Sequence, residues 1–439
     1  MAENVTTRDP FICSGCGVCA AICPQNALQM TESVEGGYRP MCNDECINCG
    51  ICLEICPFVH KLSLTRDEYR SDFPRAHEYH PILGRHCGAI LGGVTDATRR
   101  NEVASGGYLT WILEVLLDSD MIDAVYCPLP TGEADPLYQY ARCSSIESIR
   151  SAAGSAYYPI PLTQVVQEIR QRPGRYAITA LPCQARALRA AMMKIPALRE
   201  RIVFLMGLVC GQLKTKHFAE LLMTEAGAPY DQVRYIQFRI KRADKPSKIH
   251  ESRVFWHSVD REQSAIVPMG KWFMLRSLSL WACNYCMEVF PQAADIVFMD
   301  AWLDPYRHQP EGTSIALFRD PQLMAYFHLG AERGELTVAP ASEQDVLLSQ
   351  RSGIIQKYRY NPARVGIALP DGLAGNDVLL PNLPFLVRWF LHEDARRDQL
   401  AIGLWRTCGN LEVYLARLRK LHRQRWIPLV LTRLFVREW

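Results

Sequence analysis

From Ala89 onward the chain alternates short apolar runs with stretches of helical period. AILGGVTDA (89–97) and DAVYCPL (123–129) read as strands, and GGYLTWILEVLLDSD (106–120) between them repeats its apolar residues at intervals of three and four. RYAITALP (175–182) and RIVFLMGLVCG (201–211) are apolar runs bounded by charge or proline, and they flank the helical CQARALRAAMMK (183–194). Strand and helix in turn predict an α/β core with a partly parallel sheet. Helix starts carry polar caps or glycine, as at Ser105-Gly106-Gly107. Residues 61–80 are charged and unpatterned, with Pro74 and Pro81 near the far end, and read as a surface linker. Beyond Leu379 the pattern changes again: residues 386–439 hold eleven Arg or Lys against five Asp or Glu, among leucines and Trp389, Trp405, Trp426 and Trp439. Such a basic helical tail suits either an anionic membrane surface or packing on the body with its charged face in water.

At 439 residues the chain exceeds what one compact core organises, so two or three folded units are expected. Its 49% hydrophobic and 22% charged residues describe an ordinary globular protein. A net charge of +3 selects no partner, and no nucleic acid is expected. Met1 to Pro10 contains Glu3, Arg8 and Asp9 and no apolar core, so no signal or transit peptide is read and a cytoplasmic location is expected, with peripheral contact at the inner face of the membrane as the tail's alternative. The longest apolar stretches, 202–210 and 426–431, fall well short of the ~20 residues that span a bilayer.

The chemistry lies in the 17 cysteines. Cys13, Cys16, Cys19 and Cys23 form C-x2-C-x2-C-x3-C before Pro24, and Cys46, Cys49, Cys52 and Cys56 repeat it before Pro57. Three thiolates on one tight loop reach three corners of an iron–sulfur cubane, while the fourth, next to the proline, ligates the other cluster. One 4Fe-4S cluster should therefore take Cys13, Cys16, Cys19 and Cys56, and the other Cys46, Cys49, Cys52 and Cys23. Gly15, Gly17 and Gly50 let the loops turn near the sulfides. Two full runs, each with its proline, exceed what tetrahedral zinc requires. Cys42 lies outside the runs and reads as a bystander, and Cys87, Cys127, Cys143 and Cys408 read as structural.

Four further cysteines draw notice. Cys183 and Cys210 end the two apolar runs, at the sheet edge where α/β proteins place binding groups, and Cys283 and Cys286 form a C-x2-C pair. They make either a third four-thiolate site or buried core residues. The helix start ASGGYLT (104–110) suits a phosphate or is an ordinary cap, and AAGSAYY (152–158) has the same two readings. No G-x-G-x-x-G follows a strand and no Walker A run exists, which disfavours nicotinamide Rossmann and P-loop chemistry.

In order, ASGGYLTWIL, AAGSAYYPIP, ITALPCQARALR, LMGLVCGQ, FRIK, CNYCMEVFPQAADIVFMDAW and GTSIALFR resemble the coenzyme F420 hydrogenase/dehydrogenase beta-subunit family, with a fused N-terminal two-cluster ferredoxin domain. The resemblance implies a ferredoxin-like module over 1–62 and an α/β flavoprotein core with a mixed sheet in two parts, 82–162 and 163–345, and the composition beyond it adds a basic helical tail over 378–439. It implies a third 4Fe-4S cluster on Cys183, Cys210, Cys283 and Cys286. It also implies FAD against Ser105, Gly106, Gly107 and Thr110, with Gly154, Ser155, Tyr157, Asp300 and Trp302 beside it. Ala156 stands where the family's G-S-K-Y stretch has lysine, and Met299 precedes Asp300 where glycine is usual. The expected function is an oxidoreductase passing electrons between clusters and FAD and on to coenzyme F420 or another small two-electron acceptor, in company with an electron donor or acceptor protein. Arg239, Lys241, Arg242 and Lys245 would steer an anionic substrate or simply form a solvated loop. Other readings are a reductase of a different small molecule, an electron-transfer subunit without a substrate site of its own, and an iron–sulfur module without redox work.

Overall fold

The computed structural model describes residues 3–9, 12–59, 69–258, 261–273 and 276–365. The expected basic tail, 378–439, and any membrane contact through it lie outside these residues. Each cysteine run folds as a loop entering a short helix, Val18–Ile22 and Ile51–Glu54, behind a glycine at positive φ, 77° at Gly17 and 74° at Gly50. A two-stranded antiparallel ribbon, β1 (Leu28–Glu32) and β2 (Tyr38–Cys42), joins the two loops. Val18, Ala20, Ala21 and Ile22 share one buried cluster with Leu162, Val165, Val166, Ile169, Ala185 and Leu188 of the body. Hydrogen bonds fasten the same contact: Leu162 N donates to Cys16 O at 2.8 Å, and the Arg170 side chain through Nη1 to Ala21 O at 2.6 Å.

The linker reading ran to residue 80, but β3 (Glu78–His80) already pairs with β4 (Gly84–His86), Glu78 opposite His86. The body is one eight-stranded sheet built from β5 (Gly88–Val94), β6 (Ala124–Pro130), β7 (Tyr138–Cys143), β8 (Tyr176–Ala180) and β9 (Ile202–Leu208), completed by later strands. A separate antiparallel sheet of β10 (Val233–Ile240), β11 (Glu251–Ser258) and β12 (Arg261–Pro268) intervenes before β13 (Ile296–Asp300), β14 (Ser314–Phe318) and β15 (Leu336–Ala341) return to the large one. The order is β15-β5-β14-β13-β9-β8-β6-β7, in which β6, β8, β9 and β13 run parallel and both flanks are antiparallel. The sheet is therefore mixed, with its parallel part in the middle where both faces are covered. Every residue of β8 is buried. Its Tyr176, Ile178 and Ala180 enter the core beneath helices Thr163–Gln171 and Pro182–Lys194, while Ala177 enters the opposite one, beneath Tyr108–Asp118 and Pro321–Glu332.

The β10–β12 sheet packs Phe238, Val254, Trp256 and Val267 against Phe218, Leu221 and Leu222 of helix Lys216–Glu225. It roofs the region beyond the carboxyl ends of β8, β9 and β13. Among the described residues no helix is long and apolar enough to cross a membrane.

Candidate redox centres and cofactor cavity

Three groups of thiols emerge. Cys23, Cys46, Cys49 and Cys52 line one small cavity with Gly50 and Pro24. Cys49 is exposed, so this group stands at the molecular surface. Asn4 Nδ2 lies 3.5 Å from Cys42 Sγ and 3.6 Å from Cys46 Sγ, which puts Cys42 beside this group though off the cavity wall. A second group joins Cys13, Cys16, Cys19 and Cys56. Burial raises the Cys16 thiol well above its ordinary value, and the fields of Cys19, Cys13 and Cys56 raise it further. Gly15 N points at Cys13 Sγ at 3.3 Å, the N–H to sulfur contact that tunes iron–sulfur sites.

The third group is assembled from distant segments. Cys183 is the second residue of helix Pro182–Lys194, where the N-terminal helix dipole favours thiolate. Cys210 follows β9, and Cys283 and Cys286 sit on a turn that Leu213 N approaches at 3.2 Å from Cys283 Sγ. Burial pushes the Cys210 thiol up to about 12, with Cys283 and Cys286 adding to the rise. Burial likewise raises Cys183, and Cys286, Cys16 and Cys210 add to it. Buried sulfurs that disfavour one another's ionisation gain most from a shared cationic core, so the donor set fits an iron–sulfur cluster. Ser14, inside the first cysteine loop, hydrogen-bonds the Cys183 thiol, so the second and third groups adjoin.

Beside the third group opens a cavity of about 380 Å³, within the range of small-molecule cofactor sites. Ser105, Gly107, Thr110, Gly154, Ser155, Tyr157, Asp300 and Trp302 all line it, and so does Cys210. Gly106 stands behind the wall: a Cβ there would lie 2.4 Å from Gly92 O and 2.6 Å from Ser314 N, so glycine is required by close backbone approach. Ser105 Oγ donates to Thr313 O at 2.9 Å, which fixes the loop ahead of helix Tyr108–Asp118. Two buried side-chain atoms on lining residues, Thr179 Oγ1 and His250 Nε2, have no hydrogen-bond partner among the described residues. Such atoms are costly unless a ligand meets them, so the wall fits a polar cofactor. Neither residue was nominated from sequence. Thr179 lies inside ITALPC at the end of β8, where position at the sheet edge was the available signal, and His250 lies in a charged stretch that gave none.

Arg239 forks onto Asp300, Nη1 to Oδ2 at 2.9 Å and Nη2 to Oδ1 at 3.0 Å, with its guanidinium 5.6 Å from the Trp302 ring centroid. Burial pushes the Asp300 carboxyl up, but Arg239 outweighs it and the net shift is downward. Lys241 donates to Ser105 O at 2.6 Å and to Arg100 O, and burial, with Arg100 and Arg239, brings its pKa down to about 7. Arg242 pairs with Asp244 at 2.8 Å, and Lys245 with Glu251. The basic stretch expected either to steer an anionic substrate or to be solvated thus has partners of its own, and Arg239 belongs to the cavity wall. Cys127 and Cys143, read from the sequence as structural, lie on β6 and β7 with their sulfurs 3.6 Å apart.

The family model for the coenzyme F420 hydrogenase/dehydrogenase beta subunit matches with its N-terminal part over residues 89–167 and its C-terminal part over 174–344, together more than half the chain. A 4Fe-4S dicluster domain matches residues 12–59. No curated protein matches significantly. Among solved structures, a chain of the F420-reducing [NiFe] hydrogenase complex from Methanosarcina barkeri superposes with a TM-score of 0.50 at 16% identity, over 68% of this chain and 100% of that one, a likeness of fold. With both halves of the core and the cysteine module matched in sequence order, the chain belongs to the coenzyme F420 hydrogenase/dehydrogenase beta subunit family and is an iron–sulfur electron-transfer oxidoreductase.

Proposed function

We propose that the cavity holds FAD, that Cys183, Cys210, Cys283 and Cys286 hold a third 4Fe-4S cluster, and that electrons pass between an external carrier and coenzyme F420 or another small two-electron acceptor. The ferredoxin clusters would sit on the two N-terminal thiol groups, Cys13, Cys16, Cys19 and Cys56 inside and Cys46, Cys49, Cys52 and Cys23 at the surface. A flavin supplies the exchange between single electrons and pairs that clusters alone lack. One observation carries the reading: Cys210 belongs both to the third thiol group and to the cavity wall, so a cluster on it would touch the cofactor chamber.

The chain's own residues supply the rest. Backbone N–H groups at the start of helix Tyr108–Asp118 would hold a pyrophosphate, and Thr179 and His250 would supply hydrogen bonds to the polar groups of the cofactor. The Arg239–Asp300 pair is held against Trp302 and further fixed by Gln350 Nε2 on Asp300 O at 2.8 Å, giving a rigid charged wall. The exposed Cys49 group is the docking point for the protein carrier. A reducing cytoplasm suits so many free thiols.

Anaerobically purified or reconstituted protein should contain about 12 iron, about 12 sulfide and about one FAD per chain, the count for three cubanes and one flavin. About 8 iron per chain would remove the third cluster. Full iron with no flavin would remove FAD. If both are present, F420 and other oxidants are then screened for turnover by the isolated chain, and failure of all of them would favour a subunit that serves a partner enzyme.

A further inference from the structure

Lys357, beyond the matched family segments, is 1% exposed. Its Nζ lies 3.2 Å from Cys286 Sγ and 2.6 Å from Glu288 O. A buried ammonium is destabilising unless an anion faces it. Here the group in contact is a sulfur, Cys286 Sγ, on the turn that also carries Cys283. The nearby Glu288 carboxylate accepts from Gln292 N at 2.9 Å through Oε1 and lies in the field of Arg186 as well as that of Lys357.

The ammonium is also held in place. Gln356–Tyr360 forms a π-helical turn, and Asn361, four residues after Lys357 and so on the same helix face, donates from Nδ2 to Cys283 O at 2.7 Å and to Cys286 O at 3.3 Å. Asn361 is fully buried. One residue therefore fastens the segment to the C-x2-C turn while the other delivers a positive charge to its sulfur.

We propose that Lys357 is the fixed counter-charge of the third cluster and raises that cluster's reduction potential. The inference rests on the four-cysteine cluster proposed above. Each one-electron reduction adds a negative charge to the site, and a cation hydrogen-bonded to a ligand sulfur stabilises the reduced form more than the oxidised one. The third cluster thereby becomes the better electron acceptor next to the ferredoxin clusters, without any change in its ligands.

The test is a potentiometric titration followed by electron paramagnetic resonance on full-length, cluster-loaded wild type, Lys357→Met and Lys357→Arg. The methionine variant should shift one of three clusters to lower potential by at least a tenfold loss in its reduction equilibrium, about 59 mV for one electron, with the other two unmoved. The arginine variant should stay near wild type. If Lys357→Met assembles only two clusters while Lys357→Arg assembles three, the counter-charge role is also supported. An unshifted potential in a three-cluster methionine variant overturns the inference, as does loss of the third cluster in both variants, which would mark a packing role. Two clusters in wild type would instead defeat the underlying cluster reading.

Discussion

His250 sits where an ionised imidazole is penalised. Burial and the neighbouring Arg239 bring its pKa down to about 4, and the Asp300 carboxylate offsets only part of that. Its folded value lies below the ordinary 6.5, so the unfolded chain binds more protons between those values and stability rises with pH across that window. Between pH 7 and pH 5 wild type should lose about 2 kcal/mol that a His250→Gln variant keeps. Thermal melting of both proteins at the two pH values measures this, and parallel losses would show that the imidazole is not held neutral. The same residue shows why part of the site was not legible. A single histidine between Ile249 and Glu251 carries no pattern, and its meaning comes from Arg239, Asp300 and Trp302, which the fold brings to it. The cysteine runs could be read because their chemistry depends on local spacing. Lys357 could not, because it acquires its role only through contact with a cysteine far away in sequence, and Thr179 offered only its position at the sheet edge.

Between Pro291 and Asp295 the chain links the C-x2-C turn to β13, and two arginines hold it. Arg189 donates Nε and Nη2 to Ala293 O at 3.0 and 2.9 Å and pairs with Asp295 at 3.2 Å. Arg319, at the end of GTSIALFR, is 1% exposed and donates to Ala294 O at 2.8 Å, Leu83 O at 3.0 Å, Pro291 O at 3.3 Å and Arg85 O. Replacing it with methionine leaves several buried carbonyls without donors, so Arg319→Met should cost about 3–5 kcal/mol. Denaturation of the variant reads that loss, and a change under about 1 kcal/mol would show that the loop does not depend on it. At this scale the sequence was legible where periodicity was clean. The fully buried β8 and the amphipathic helices around it follow from short apolar runs and regular spacing. The β10–β12 sheet was passed over because KRADKPSK interrupts it with charge and β12 is largely exposed, so alternation there is weak. Yet that sheet supplies Tyr235, Gln237 and Arg239 to the cavity.

Across the whole molecule the thiol groups run from the exposed Cys49 inward to the cavity, and the step from module to body depends on a narrow contact. Gly17 lies at its centre, with φ 77° and a would-be Cβ 2.4 Å from Thr163 Oγ1 and 3.0 Å from Pro161 Cβ. Thr163 Oγ1 donates to Gly17 O at 3.1 Å, and Ser14 of the same loop reaches Cys183. Gly50 occupies the equivalent place in the second run with φ 74°, but nothing lies within 4 Å of its would-be Cβ. Alanine at either position carries the same backbone strain, and only at Gly17 does it also push on the body. Gly17→Ala should therefore slow reduction of the flavin by a one-electron donor about tenfold or more, since displacement of a relay by about 1 Å is felt strongly in rate. Gly50→Ala should not, and adding Thr163→Ala to Gly17→Ala should restore part of the rate by removing the clash. Direct reduction of the flavin by a two-electron donor serves as the internal control and should be the same in all of these proteins. Stopped-flow measurement on preparations with equal iron content separates the outcomes. Equal one-electron rates in Gly17→Ala and wild type would mean that electrons reach the cavity without passing from the Cys16 group to the Cys183 group.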